Sequence, residues 1–359
     1  MFKYFVFVSA IALVSCSSAP KKSPGSITVM TYNVENLFDN LDDSGKDDET
    51  YLAIEDKKNA RHRTKCQGVG RDYYRRQCLE YDWSDSKIKM KMKRLASVVL
   101  QEGTGPDILI LEEVENLNVL ERFRLNYLQS AGYQPAILIE GPDKRGIDVA
   151  MLSRLPLSGK PVLHEIDLNK SAKRDEKKDS KKSVRPTRGI LQAQFELPDS
   201  TVLTVFGVHF PSQGNPVIAR RLAIAKLNEV KAKLPKSALV IAAGDFNITT
   251  KEDAKEGLYR TELSKDWLVS HQIGCDKCEG THSYRGSWSF LDAVLFSKNM
   301  KSGDKWRVDT KSIRVANKSI YQINYWGNPA RFSEGKSQTG VSDHWPLMVE
   351  IVPVKEVSL

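Results

Sequence analysis

The chain has no apolar run long enough to span a bilayer, few cysteines and no internal repeat. The leading apolar stretch, Tyr4 to Val14, is too short for a membrane-spanning helix. Five cysteines in 359 residues are too few for a disulfide-dominated scaffold. The absence of a repeat argues against a solenoid. Acidic residues are in deficit, 45 Asp and Glu against 54 Lys and Arg, for a net charge of +9. That balance suits an anionic partner such as nucleic acid or an acidic membrane surface. A hydrophobic content of 40% with 28% charged residues is ordinary for a soluble globular protein. The length allows one large two-layer domain or two small ones.

The N-terminus reads as a targeting segment rather than part of the fold. Lys3, the apolar run and then Leu13-Val14-Ser15-Cys16 give a charged region, a hydrophobic region and small residues before a cleavage point. Leu-Val-Ser-Cys resembles a bacterial lipobox, which makes residues 1–15 a lipoprotein signal peptide and Cys16 the acylated first residue. An ordinary signal peptide with an incidental cysteine is the alternative. Residues 16–26 are small and polar with Lys and Pro, as in a flexible tether. The expectation is an exported protein, lipid-anchored to a bacterial membrane and facing the periplasm or the cell exterior. No protein partner is implied.

Export bears on the remaining cysteines, Cys66, Cys78, Cys275 and Cys278. An even number in an oxidising compartment suggests disulfides, and the local pairing Cys66–Cys78 with Cys275–Cys278 is preferred because each pair lies within one loop. A four-cysteine zinc site is the alternative, the second pair having ligand spacing. A thioredoxin-like role for that pair lacks a surrounding βαβ pattern.

Strand-like runs occur at Ile27–Tyr32, Ile108–Leu111, Val149–Leu152, Ile190–Phe195, Val202–Val208, Leu239–Ala242, Ala293–Phe296 and Leu347–Val352. Many are rich in β-branched residues and end in a polar residue or Gly. Two helices are marked by apolar spacings of 4, 3 and 4. One follows a cap at Ser84 or Asp85 with Ile88, Met92, Leu95 and Val99. The other follows Pro216 with Ala223, Leu227, Val230 and Leu234. Between Lys57 and Arg94 there are thirteen Lys and Arg against four Asp and Glu, a surplus equal to the net charge of the chain. Tyr73, Tyr74, Tyr81 and Trp83 lie among them, so this segment is a candidate nucleic-acid surface or a solvated loop held by a disulfide. Just before it, Asp39 to Asp56 is acidic. Lys170 to Lys182 is basic without aromatics and reads as a mobile loop.

Polar residues recur at strand ends. Asn33 follows the first run, and Glu112-Glu113 closes the second, where side-chain alternation lets only one of the two enter a given site. His209 follows another run, and Gly244-Asp245-Phe246-Asn247 places a carboxylate and an amide on one side of an extended chain. Asp292 opens a strand and can orient the histidine of Ser342-Asp343-His344-Trp345-Pro346. Phosphoester hydrolysis needs a cation, a base, donors to the transition state and a neutralised leaving oxygen. Glu113, Asp245 and Asp343 supply the oxygens that a hard ion such as Mg²⁺ requires, which the cysteines do not.

Tyr32-Asn33-Val34-Glu35-Asn36, Leu111-Glu112-Glu113-Val114-Glu115-Asn116, Val208-His209-Phe210-Pro211-Ser212, Gly244-Asp245-Phe246-Asn247, Phe290-Leu291-Asp292 and Ser342-Asp343-His344-Trp345-Pro346 occur in the chain order of the endonuclease/exonuclease/phosphatase superfamily. Over about residues 27–352 the sequence resembles that family, and a single domain of that kind is expected over residues 27–354. The resemblance implies a deoxyribonuclease I-like four-layer α/β sandwich, two packed, mainly antiparallel β-sheets flanked by helices, with the site at the sheet ends. It also lends roles. Glu113 looks like the principal Mg²⁺ ligand (Mn²⁺ serving as substitute), assisted by Asn33, with Asp343 binding metal or supporting the site. Asp245 would position or deprotonate the water or help bind metal, and Asn247 would hold the phosphoryl group. His344, oriented by Asp292, would act as base or transition-state donor, and His209 would contact the phosphate or serve as acid. Arg145 and Asp148 would lie near the phosphate, with Arg185 and Arg188 as further substrate candidates. The segments at 39–94 and 298–340 fit no core pattern of the family and read as insertions that set substrate choice.

The function expected first is a Mg²⁺-dependent exported nuclease cutting DNA or RNA. The alternative is a phosphomonoesterase or phospholipase-like diesterase acting on inositol phosphates, sugar phosphates or lipid head groups. A catalytically dead surface-binding protein is a third reading, set against by the filled catalytic positions.

Overall fold

The structure, a computed structural model, describes residues 22–168, 187–303, 305–333 and 340–354. The proposed signal peptide, Cys16, Arg185 and the basic run Lys170–Lys182 lie outside the described residues. Among those described, no helix is long and apolar enough to cross a membrane.

Two six-stranded sheets form the centre. The first is built from β1 (Ile27–Leu37), β2 (Ile108–Val114), β3 (Ile137–Leu138), β4 (Asp148–Ser153), β13 (Trp306–Val315) and β14 (Leu347–Pro353), in the order β13-β14-β1-β2-β4-β3. The second is built from β5 (Val162–His164), β6 (Ile190–Glu196), β7 (Val202–His209), β8 (Leu239–Asp245), β9 (Trp267–Val269) and β12 (Asp292–Ser297), in the order β5-β6-β7-β8-β12-β9. A small hairpin, β10 (His282–Tyr284) with β11 (Ser287–Ser289), forms a separate two-stranded sheet that bridges from His282 to His344.

The core strands are apolar on both faces because both faces are covered. In β2, Ile108 and Ile110 face the second sheet, and Leu109 and Leu111 face the helices behind. The interface between sheets takes Val29, Ile108, Ile110 and Val349 from one side and Val205, Ile241, Ala243 and Val294 from the other. Behind the first sheet pack α3 (Asp85–Val99) and α4 (Leu117–Tyr127), and behind the second α5 (Val217–Ala232) with its apolar stripe Ala223, Leu227 and Val230. The four-layer α/β sandwich is therefore the fold. Three short helices, α1 (Ala60–Gln67), α2 (Asp72–Glu80) and α6 (Thr250–Glu256), and the single turn α7 (Ser270–Ile273) complete it.

Each sheet holds one parallel pair, β1 with β2 and β7 with β8, and every other pairing is antiparallel. This positions the site. The C-terminal ends of β1, β2, β7 and β8 and the N-terminal ends of the antiparallel β12 and β14 all emerge at one edge of the sandwich.

The structure corrects the reading of 298–340 as an insertion throughout. Residues 306–315 are the edge strand β13, paired with β14. Its Arg307, Asp309 and Lys311 face outward between buried Trp306, Val308 and Ile313, so it carries no continuous apolar run. Likewise α3 is core rather than insertion, since Ile88, Met92, Leu95 and Val99 are buried against the first sheet.

Candidate active site

Asn33 closes the extended part of β1, and a register shift after it lets the chain turn. At the end of β2 a second shift falls between Glu112 and Val114, with Glu113 in the left-handed region at φ 66°. That turn decides which glutamate enters the site. Glu112 continues the strand alternation into the space between sheets, fully buried, where Oε1 accepts from Thr31 Oγ1 at 2.8 Å. Burial and the nearby Asp292 raise its carboxyl well above the ordinary range. Glu113 turns to the mouth, where Oε1 accepts from Asn33 Nδ2 at 3.4 Å.

Asp245, at the end of β8, is the centre of the cluster. Its Oδ2 accepts from Asn33 Nδ2 (3.2 Å) across the sheets and from Asn247 Nδ2 (3.0 Å), and lies 3.6 Å from His209 Nε2. Its Oδ1 accepts the Asn247 backbone N–H at 2.7 Å. Asn247 reaches this position through a turn at φ 53°, not along an extended chain as the two-residue spacing suggests. Its amide also donates to Phe210 O at 3.1 Å. Burial, with Asp292 adding to it against the pull of His344, raises the Asp245 carboxyl to about 7. His209 is buried as well, and burial together with Arg188 and Arg145 holds its imidazole well below the usual value, in the neutral form.

His344 sits just before β14. Its Nδ1 lies 2.7 Å from Asp292 Oδ2, and its backbone N–H donates to Ser342 Oγ, which itself donates to Asn33 O at 2.6 Å. Burial alone would lower the imidazolium, but Asp292, Asp343 and Asp245 hold it well above the ordinary value. Asp343 is organised by a pair the sequence does not announce. Arg331 Nη1 donates to Glu35 Oε1 at 2.6 Å and Nη2 to Asp343 Oδ2, while the Asp343 N–H donates to Glu35 Oε2 at 3.1 Å. Burial would raise Asp343, but His344 and Arg331 keep it below its usual value.

Arg145 and Arg188 both hold Asp143, at 2.6 and 3.4 Å, and Arg188 also donates to Phe210 O. Both arginines interact electrostatically with Glu113, so a cationic side borders the cluster. Asp148 is not brought into the cluster: its Oδ1 accepts the Gly141 N–H at 2.8 Å, and its buried carboxyl latches that loop. Asp143, Glu35, Arg331 and Ser342 were missed by the sequence reading. Glu35 lies within Tyr-Asn-Val-Glu-Asn, and Ser342 opens Ser-Asp-His, so their motifs were the available signal.

The structure joins Cys66 to Cys78 and Cys275 to Cys278. Among the described residues no ligand group combines the two pairs, so the four-cysteine zinc alternative is not formed. The first bridge ties α1 to α2, leaving Tyr73 and Tyr74 exposed. Tyr73 is close enough to interact electrostatically with Arg331 at the mouth of the site.

Glu113 and Asp245 converge on the Asn33 amide, at 3.4 and 3.2 Å, and with Asp343 beside His344 they supply the carboxylate oxygens that a hard divalent cation takes. Asn33 Oδ1 accepts the Glu35 N–H at 3.0 Å, so Asn33 offers its amide N–H groups rather than its oxygen to the carboxylates.

A sequence profile described as Endonuclease/Exonuclease/phosphatase family matches residues 70–353. No curated protein matches the sequence. Among solved structures, humanized D. rerio TDP2 with 14 mutations gives a TM-score of 0.54 at 14% identity, covering 91% of this chain and 99% of that one. D. rerio TDP2 complexed with a single-strand DNA product gives 0.51 at 14% identity, over 91% and 99%. The endonuclease/exonuclease/phosphatase of Beutenbergia cavernae DSM 12333 gives 0.52 at 14% identity, over 91% and 72%. At such identities these likenesses show the fold.

Proposed function

This chain belongs to the endonuclease/exonuclease/phosphatase family, and we propose that within it the protein is a Mg²⁺-dependent phosphodiesterase that cuts nucleic acid. Members of the family are metal-dependent phosphoesterases, and the chain is an enzyme of that class. The observation that carries the reading is Asp245 Oδ2, held between Asn33 of β1 and Asn247 just past β8, with His209 Nε2 3.6 Å away and Arg188 close enough to interact with its charge.

Glu113, with Asp343, would hold the ion. When bound it neutralises phosphoryl oxygens and acidifies water. Asp245 is placed to accept the proton of the attacking water, because its Oδ2 faces the cluster while Asn247 fixes Oδ1. His344, anchored through Nδ1 to Asp292 with Nε2 3.9 Å from Asp343 Oδ1, is placed as a donor to the developing negative charge. Arg145 and Arg188, aligned by Asp143, attract the phosphate to this side.

The choice of nucleic acid rests on the disulfide-tied α1–α2 hairpin. It carries exposed Arg61, Arg71 and Arg76 beside Tyr73 and Tyr74, a combination that tracks phosphates and stacks bases. The single-strand DNA product bound to the D. rerio TDP2 neighbour is in keeping with this. A lipid-phosphodiester reading has its own observation: Ile320, Tyr325 and Trp326 are 78%, 91% and 79% exposed, as interfacial anchors would be. Export and anchoring through Cys16 rest on the lipobox-like sequence, and two disulfides fit an oxidising compartment.

The test is incubation of the protein lacking residues 1–16 with plasmid DNA, RNA and a panel of phosphate esters and phospholipids, with Mg²⁺ or EDTA and an Asp245→Ala control. Mg²⁺-dependent degradation of nucleic acid, absent in the control, supports the nuclease. Release from lipids or small esters alone overturns it. Loss of labelled fatty acid in Cys16→Ala tests the anchor.

A further inference from the structure

A second group of carboxylates lies away from the catalytic centre. The chain leaves β1 into an acidic loop that contains Asp39, Asp43 and Asp48 and meets Glu115 and Asn116 at the start of α4. One oxygen from each of Asp43, Asp48 and Glu115 lies within 4.8 Å of the others. Asp48 and Glu115 are only 1% and 2% exposed.

Their hydrogen bonds account for half of their oxygens. Asp48 Oδ2 accepts the Asp43 N–H at 2.8 Å, and Glu115 Oε2 accepts the Asp39 N–H at 2.8 Å. Asp48 Oδ1 and Glu115 Oε1 are buried with no hydrogen-bond partner. The neighbouring cations are engaged elsewhere: Lys46 with Glu140, Lys65 with Glu49 and Asp42, and Arg145 with Asp143. Among the described residues no ion pair reaches Asp39, Asp43, Asp48 or Glu115. Among the described residues the side-chain nitrogen donor to these carboxylates is the neutral Asn116 amide, 3.1 Å from Asp43 Oδ2 and 3.4 Å from Asp39 Oδ2, and the other donors are backbone N–H groups.

Buried carboxylates with free oxygens and no counter-ion are strongly disfavoured in the charged form, and either take up a proton or gather a cation. Burial raises Glu115 to about 9 and Asp48 to about 6. We propose that Asp43, Asp48 and Glu115 form a structural Ca²⁺ site, with Asp39 and Asn116 as its supporting shell. The donors are all oxygen and lie in an irregular loop. Ca²⁺ accepts such sets, whereas Mg²⁺ demands near-octahedral geometry and retains several waters. The ion would clamp the loop after β1 to the end of β2. Glu115, whose N–H already donates to Leu37 O at 3.0 Å, stands two residues beyond Glu113. Calcium would thus hold the backbone that turns Glu113 into the catalytic site. This site does not depend on the nuclease reading, and a phosphatase of the same fold could carry it equally.

The test strips the protein with EDTA and uses Glu113→Gln to weaken the catalytic ion site. Glu113→Gln is expected to retain one bound Ca²⁺ by equilibrium dialysis and to gain roughly 5 °C or more in Tm at about 1 mM CaCl₂. Asp48→Asn and Glu115→Gln are expected to lose the bound ion and the Tm response. In EDTA they should melt above the stripped wild type, because without a cation each carboxyl must take up a proton or bury its charge in order to fold. Ca²⁺ binding by Asp48→Asn equal to wild type, no Ca²⁺ on Glu113→Gln, or an equal Tm rise with Mg²⁺ overturns the proposal. Should Asp48→Asn and Glu115→Gln fail to fold, Tb³⁺ emission sensitised by Tyr51 in Glu113→Gln and displaced by Ca²⁺ supports the site, and absence of that emission rejects it.

Discussion

Asp245 and Asp292 stand directly opposite each other on the antiparallel strands β8 and β12, two buried carboxylates in one register pair. Only Asp292 carries the imidazole, with its Oδ2 2.7 Å from His344 Nδ1. The two acids therefore divide their work: one holds the histidine charged, and the other is left facing the cluster.

A pH dependence follows from that division. After burial, which opposes it, Asp292 is the first of the charges that raise His344 above its ordinary 6.5. A raised histidine contributes stability that is full below about 6.5 and is lost as pH rises through the folded value. In Asp292→Asn the imidazole should titrate lower by NMR, and the alkaline limb of kcat/KM should move to lower pH. The Tm advantage of wild type over Asp292→Asn should narrow as pH rises above 6.5. An alkaline limb that stays in place would show that His344 is not the titrating donor.

Neutralising the other acid separates chemistry from folding. Asp245→Asn keeps the shape of the side chain and removes the proton acceptor. Turnover should fall by about 10²- to 10⁴-fold. Tm in EDTA should hold or rise, since a buried carboxylate raised to about 7 is a destabilising group at higher pH. A Tm loss that matched the activity loss would point to a structural role instead.

The glycine before Asp245 is fixed by a close approach. Gly244 has φ 149°, and a Cβ there would lie 1.8 Å from the Val208 carbonyl oxygen, in the parallel strand beside it. Gly244→Ala should cost about 3 kcal/mol through forced separation of β7 and β8. Gly45 also has a positive φ, 82°, but open space around it. Gly45→Ala should cost only about 1 kcal/mol. Paired thermal melts distinguish a steric from a purely conformational requirement.

Much of this was legible in the sequence where burial leaves a pattern. Strands such as β2 and β8 are apolar on both faces, and their polar residues stand out at the ends, which is why Glu113 and Asp245 could be found. The edge strand β13 was missed because charged residues alternate with buried ones and no apolar run results. The helices α1 and α2 were missed because their sequences are dominated by charge, and a disulfide rather than an apolar stripe holds them. The site's ion pairs were hidden for another reason. Arg331 and Glu35 are 296 positions apart, and no local spacing records such a contact. The direction of a side chain was equally unreadable: Glu113 enters the site through a left-handed turn, and Asn33 presents nitrogen where its residue type also offers oxygen.

The α1–α2 hairpin gives the sharpest test of substrate class. Arg71 and Arg76 are exposed on it, next to Tyr73, which is 60% exposed, and Tyr74. If these arginines contact two phosphates, Arg71→Ala with Arg76→Ala should reduce the slope of log K against log salt by roughly 1.4 to 1.8, depending on strandedness. Tyr73→Ala with Tyr74→Ala should weaken single-strand binding by about 1–3 kcal/mol per lost stack and leave the salt slope nearly unchanged. Both double variants should hydrolyse a small phosphodiester at the wild-type rate, because none of the four residues lies in the carboxylate cluster. Equal losses on the small ester and on nucleic acid would mean that the hairpin supports the fold of the site rather than its grip on a polyanion. An unchanged salt slope would move the substrate away from nucleic acid and toward the surface that Tyr325 and Trp326 present.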